Sequence, residues 1–401
     1  MSREKWNTLI IALVMMALTA SIILHPKASL EASQAGLDVW WRIVFPSLLP
    51  FFIVSELLIG FGIVRFAGVL LEPVMRPLFR VPGAGGFVWA MGIASGFPAG
   101  AKLTSLLRKE KQLTAIEAER LVSFTNCSNP LFIFAAVSVG FFKNPALGLL
   151  LAAAHYLSNV CVGVMMRFHG NSREERALSR SRVLPFPSLS EAFAALHKTR
   201  LKNKKPIGKM LGDAVLGSVQ TLLVIGGFII LFSVLNKILS ITGFIGILSS
   251  GMAQLFSLFS LPVSLTQPLL AGVFEITHGS MQASNAEAGL LFQAIIASFI
   301  LAFSGLSVQA QVASILAETD IRFLPFFFAR IMQGFIAAFL TWLLWKPLYL
   351  NRGGVTETYG TGGRPNGFEE YDWLLGSGPA ITLFFLFLYI ILYWRRTAAA
   401  Y

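Results

Sequence analysis

Twice in this chain a long apolar stretch breaks around a glycine-rich polar tip, and each time a second interrupted apolar helix follows. The first copy reads Met91-Gly92-Ile93-Ala94-Ser95-Gly96-Phe97-Pro98-Ala99-Gly100, then Thr125-Asn126-Cys127-Ser128-Asn129-Pro130. The second reads Ala271-Gly272-Val273-Phe274-Glu275-Ile276-Thr277-His278-Gly279-Ser280, then Phe303-Ser304-Gly305-Leu306-Ser307. Gly272 follows Gly92 by 180 residues, and Ser304 follows Asn126 by 178. At membrane depth, backbone leaves the helix only where protein or a water-filled cavity surrounds it. Interrupted apolar segments at matching places in two halves are the strongest sequence pointer to a transporter's central site.

The composition places these segments in a bilayer. Only 13% of the 401 residues are charged and the mean hydropathy is +0.69, whereas a soluble chain is about a quarter charged. Apolar runs at 9–24, 43–60, 131–142, 147–166 and 380–394 approach the roughly 20 residues that cross a membrane. The fold class expected is an all-α polytopic membrane protein of inverted repeats, each with a re-entrant hairpin and a broken transmembrane helix. The net charge of +12 does not point to nucleic acid, because 11 of the 32 Lys and Arg lie between Arg167 and Lys209 without interleaved aromatics. A polar loop so rich in cations is placed in the cytoplasm, within reach of membrane lipid headgroups. Cys127 and Cys161 form neither a disulfide framework nor a metal site.

Along the chain, 1–42 reads as a retained N-terminal transmembrane helix and a short polar connection (27–38). It has no small-x-small cleavage site before His25-Pro26. The first repeat occupies 43–167, the basic loop 168–211, the second repeat 212–346, and a Gly-rich loop with a C-terminal span 347–401. Each repeat has the order span, interfacial helix, hairpin, broken helix, span. Arg76, Arg80, Arg108, Lys109 and Lys111 flank 83–102 on both sides, so that segment is expected to enter and return on one face, reversing at Gly96-Phe97-Pro98. An odd number of crossings per repeat then turns the second copy upside-down. A short amphipathic helix is expected at 188–197.

The candidate site residues are the polar and turn-forming groups within these breaks. Pro130 lacks an N–H, so the carbonyl of Asn126 loses its helical partner. Asn126, Ser128 and Asn129 in the first break, and Ser304, Ser307 and Gln309 in the second, are polar groups in apolar helices. They are suited to a solute or to helix–helix hydrogen bonds. Helix N-termini created by the breaks favour an anion. Glu275 is the one carboxylate in 265–277, beside Thr277 and His278. It is a candidate for coupling to H+ or Na+, or a wet-tip residue paired with His278. Arg330 and Lys102 are cations at membrane depth that either meet an anionic solute or snorkel. Gly96, Pro98, Gly100 and Gly279 shape the tips. Phe97 and Phe303 are suited to stacking on a ring. No cofactor or resident metal is expected; the partners expected are a small anionic solute and membrane lipid, and a homo-oligomer is compatible with the pattern. His-Glu-x-x-His, a P-loop and Gly-x-Ser-x-Gly are all missing from the chain, which argues against an enzyme.

These residues resemble the nucleoside-recognition gate-domain family, related to the concentrative nucleoside transporters. That resemblance implies two hairpins and two unwound helices enclosing a solute. Phe45-Pro46-Ser47-Leu48-Leu49-Pro50-Phe51, Gly96-Phe97-Pro98-Ala99-Gly100-Ala101-Lys102 and Asn126-Cys127-Ser128-Asn129-Pro130 are similar to a branch of sporulation integral membrane proteins, over roughly residues 1–350. The branch implies movement of dipicolinic acid out of the mother cell across the outer forespore membrane. A cation-coupled nucleoside transporter of the same architecture, and a non-transporting sporulation scaffold, stand beside that reading. The tail after Tyr349 departs from the family pattern.

Overall fold

The computed structural model of the chain describes residues 3–170, 189–202 and 205–352. The expected C-terminal span at 380–394, nearly all of the Gly-rich loop, and residues 171–188 of the basic loop lie outside them. Helix α1 (Arg3–Leu24) ends at His25, and Pro26 opens α2 (Pro26–Val39) after a bend of 100°. The polar connection expected at 27–38 is therefore a helix. Pro at the first helical position lacks only an N–H that would be unpaired anyway, and Ala, Leu, Glu and Gln then propagate the turn better than their polarity suggests.

A π-helical turn, Trp40–Val44, carries α2 into α3 (Phe45–Gly60). The chain bends 81° into the amphipathic α4 (Ile63–Phe79) at Gly62, whose φ of +87° suits glycine alone. The first hairpin follows as α5 (Ala84–Ser95) and α6 (Ala99–Lys109). Arms of 12 and 11 residues reach under about 20 Å at 1.5 Å per residue, short of the roughly 30 Å hydrocarbon core. A full capping box starts α7 (Ala115–Thr125): Glu117 N–H donates to Thr114 Oγ1 at 3.2 Å, and Thr114 N–H to Glu117 Oε2 at 2.9 Å. Beyond the break the helix resumes in π form (Phe132–Phe141), and α8 (Leu147–Met166) completes the half.

The basic segment's helix α9 (Leu189–Lys202) packs on α4, with the Phe66 and Phe193 rings 5.1 Å apart. The second half repeats the order. It runs through α10 (Ile207–Ile241), α11 (Phe244–Leu258), a hairpin of α12 (Thr266–Phe274) and α13 (Ile276–Ser284), α14 (Leu290–Phe303), α15 (Gly305–Leu316) and α16 (Phe323–Leu348). Four spans are long and apolar enough to cross a membrane unaided: α8, α10, α14 with α15, and α16. The two bent pairs raise the number to six among the described residues.

Side-chain ties place the hairpins at opposite ends of the molecule. The base of the first is fastened to the turn between α15 and α16, where Arg108 Nε and Nη2 donate to Asp320 at 2.8 and 2.6 Å and Lys109 pairs with Glu318. The Arg108 hydrogen bonds hold the Asp320 carboxyl below its usual range, so this tie is intact at neutral pH and is lost only in acid. The base of the second hairpin is fastened to the start of α14, where Ser264 Oγ donates to Glu287 O at 2.8 Å. Between those two places run the 27 residues Leu290–Leu316, about 40 Å of helix. The hairpins thus enter from opposite faces.

Glycines let the arms meet. A Cβ on Gly92 or Gly100 would lie 2.1 or 2.3 Å from Thr125 O, and one on Gly279 would lie 2.1 Å from Gly272 Cα. The apolar core then closes around α4–α7, α15 and the start of α16 (Phe79, Phe124, Leu107, Val312, Phe326) and, on the other side, around α8 and α14 (Leu150, Leu151, Ile300, Leu301).

Candidate functional site

Both hairpin tips and both helix breaks converge on one cavity of about 490 Å³. The first tip contributes Ser95, Gly96 and Phe97, and the first break Ser128, Asn129, Leu131 and Phe132. The second tip contributes Glu275, Ile276 and Thr277, and the second break Ser307, Val308 and Gln311. Its remaining wall is apolar: Ala135 and Ala136 of the π-helix and, from outside both hairpins and breaks, Val39, Val44, Leu48, Ile225 and Ile229. Trp40 anchors that wall by donating Nε1–H to Leu222 O at 2.8 Å, and Gly226 leaves room for its ring.

Asn129 ties the first break to the first tip. Its Nδ2 donates to Ser95 O at 3.1 Å, and its Oδ1 accepts from Phe132 N–H at 2.8 Å, capping the π-helix. Beneath it, Ser128 N–H donates to His155 Nε2 at 3.0 Å, and Tyr156 OH donates to Ser128 O at 2.9 Å. The carbonyl of Asn126, orphaned by Pro130, accepts from Arg330 Nη1 at 2.8 Å. Arg330 Nη2 also donates to Ser123 O and to Asn159 Oδ1.

In the second break, Ser304 (φ +70°) and Gly305 (φ +69°) are both left-handed. The freed carbonyl of Phe303 accepts from Gln309 Nε2 at 3.1 Å and from the Ser304 hydroxyl. Glu275 caps α13: Thr277 N–H donates to Oε1 at 2.9 Å and His278 N–H to Oε2 at 2.7 Å. Its carboxylate meets the main chain of His278, not the ring. The ring nitrogen Nε2 lies 2.8 Å from Gln282 Nε2.

Two further cavities adjoin the central one along α10. One of about 510 Å³ shares Val39, Ile229, Glu275 and Thr277 with it and is otherwise lined by Ser233, Asn236, Lys237, His278 and Gln282 among others. One of about 320 Å³ shares Ile225 and Gln311 and includes Lys102 and Glu56. Lys102 Nζ sits 2.8 Å from Glu56 Oε1 and 4.8 Å from the Phe52 ring centroid.

Of the residues singled out in the sequence, Gly96, Ser128, Asn129, Glu275, Thr277 and Ser307 line the central cavity. His278 and Lys102 line its two neighbours. Asn126, Ser304, Gln309 and Arg330 are buried behind the breaks, and Pro98 is buried at the tip. Phe97 faces the cavity, whereas Phe303 packs on Phe299 with centroids 6.0 Å apart. Sequence reasoning missed Ser95 and Gln311, which sit one and two positions from the flagged Gly96 and Gln309. It also missed the apolar wall, which carries no polar signal.

Residues 41–145 match the family described as Gate, nucleoside recognition. The chain is 57% identical over 409 residues to the sporulation integral membrane protein YlbJ of Bacillus subtilis (strain 168), covering 99% of this chain and 98% of that protein.

Proposed function

Given that this chain belongs to the family of the sporulation integral membrane protein YlbJ, we propose that it is a transporter whose solute is dipicolinic acid (pyridine-2,6-dicarboxylate). The acid would leave the mother cell across the outer forespore membrane. The observation that carries this reading is the single cavity that both tips and both breaks enclose. Its volume of about 490 Å³ suits one ring. Phe97 and the apolar wall provide faces for it, and the hydroxyl and amide groups of Ser95, Ser128, Asn129, Ser307 and Gln311 provide donors for carboxylates. Ser95 Oγ has no partner within the protein. Alternating access would expose the cavity to one side and then the other along α10.

Glu275 is the one ionisable side chain among the described residues lining this cavity. A dianion beside that carboxylate is repelled unless a proton or Na+ enters with it, so we assign Glu275 to coupling. The same observation favours a second reading, a neutral ring-bearing solute such as a nucleoside. Lys102 and Arg330 are committed to Glu56 and to carbonyls, not to the cavity.

Uptake of dipicolinate into proteoliposomes holding the full chain, with uridine in parallel, separates the readings. Saturable dipicolinate uptake is expected, falling about tenfold in Ser307→Ala, as the loss of one hydrogen bond to a charged group implies. Asn129→Ala should cost more, because it also uncaps the π-helix. Uridine uptake without dipicolinate uptake moves the protein to the nucleoside class. Uptake of neither by folded protein sinks the transporter reading in favour of a scaffold.

A further inference from the structure

Behind the first break, away from the central cavity, lies a cluster of polar side chains whose hydrogen bonding is incomplete. Asn126, His155, Asn159, Arg330 and Gln333 are each 0% exposed. Asn126 Nδ2 and Oδ1, His155 Nδ1, Asn159 Nδ2, Arg330 Nε and Gln333 Oε1 have no partner within the protein. Native proteins leave few such atoms unmet, and each calls for a ligand, an ion or ordered water. The bonds that do form connect the cluster into one place. Arg330 Nη1 donates to Asn126 O at 2.8 Å and Nη2 to Asn159 Oδ1 at 3.2 Å, while Gln333 Nε2 donates to His155 O at 3.2 Å.

Those bonds also orient the amides and the imidazole. Asn159 uses its oxygen on Arg330, so its NH2 is the free group. His155 accepts Ser128 N–H through Nε2, so in the neutral ring Nδ1 carries the proton. The unmet set is thus four donor groups (Asn126 Nδ2, His155 Nδ1, Asn159 Nδ2 and Arg330 Nε) against two acceptors. The NH2 of Asn159 reaches only the Cys127 sulfur besides, an acceptor too weak to change that balance.

The cluster also holds a full positive charge. No ion pair among the described residues involves Arg330; its partners are two main-chain carbonyls, an amide oxygen and the Phe326 ring, 5.5 Å from Cζ. A guanidinium taken out of water without a counter-charge is costly.

From the donor excess and the unpaired guanidinium we infer that this cluster is a binding site for a small inorganic anion, a halide such as chloride, held by Arg330 Nε–H, the Asn159 and Asn126 amides and His155 Nδ1–H. All five residues are fully buried, which keeps the organic solute away from them, and a monatomic ion is the smallest anion that such a donor set can take. The ion neutralises Arg330 and thereby steadies the first break, whose Asn126 carbonyl depends on the same guanidinium.

The test uses the full-length protein, with bromide as the crystallographic probe and chloride against gluconate, at constant ionic strength and sodium, as the solution probe. Expected are an anomalous bromide peak between Arg330, Asn159 and Asn126, and a saturable rise of a few degrees in melting temperature with chloride. Asn159→Asp places a carboxylate at the guanidinium. It is expected to lose the chloride response while melting at or above the wild-type temperature. Asn126→Asp serves the same purpose should the first variant fail to fold. Neither peak nor chloride response would overturn the site, leaving water to complete the bonds. A peak without a chloride response means an adventitious ion only and overturns it too, as does a chloride response that survives in a folded carboxylate variant.

Discussion

At the residue scale, the chain's unusual positions are explained by close approach or by lost helical bonds. Where the second hairpin's arms cross, a Cβ on Gly279 would run into the backbone of Gly272 and Ala271, and no side chain can yield there. Gly279→Ala should cost about 1–3 kcal/mol, as overpacking does. Gly227→Ala, where an added Cβ meets nothing within 4 Å, should be neutral or slightly stabilising. Melting of the two variants in one detergent checks the contrast, and equal melting would sink the crossing argument. Pro130 announced an orphaned Asn126 carbonyl in the sequence. Arg330, 204 residues away, takes it up. That pairing was not legible, because the sequence shows a charge in an apolar helix but not which neighbour faces it.

At the scale of elements, the order of spans, interfacial helices, hairpins and broken helices is written in the spacing of glycines, prolines and apolar runs. Two local states were not. The segment 27–38 reads as a polar connection but is helical, and 132–141 reads as an ordinary helix but is wound in π form. Asn129 accepts from its Phe132 N–H and α8 packs against it. The first hairpin arm α6 carries cations that grip other elements, Lys102 on α3 and Arg108 and Lys109 on the α15–α16 turn. Lys102 and Glu56 are mostly shielded, with side chains 14% and 22% exposed. Lys102→Met alone should therefore destabilise by about 3 kcal/mol, since it strands Glu56. Combined with Glu56→Gln the loss should be smaller than the sum, a coupling that a double-mutant cycle in thermal unfolding reads directly.

At the scale of the whole molecule, the three cavities follow one stripe of α10: Gly217, Thr221 and Ile225, then Ile229, Ser233, Asn236 and Ser240. From 217 to 240 the helix rises about 35 Å, comparable to the roughly 30 Å hydrocarbon core. Single cysteines along this stripe, in a chain lacking Cys127 and Cys161, should react with a membrane-impermeant maleimide at helical intervals. Leu216, Leu223 and Leu231, exposed on the other face, should stay unlabelled when the protein is in lipid. Uniform labelling, or labelling of the leucines alone, would exclude a route along α10.

The sequence by itself determined that this chain is a helical membrane protein of two similar halves, each with a hairpin and a broken helix. Hydropathy, proline and glycine act locally, and their effects are set within a few residues. Only the tertiary structure decided which polar groups face the central cavity. Asn129 and Ser307 line it while Gln309 and Arg330 turn away to satisfy backbone carbonyls and Asn126 is buried behind the break, and the apolar wall arrives from α2, α3 and α10. The reason is physical: a polar atom in an apolar helix must find a partner. Whether that partner is a carbonyl, an ion or a solute depends on what distant segments bring beside it.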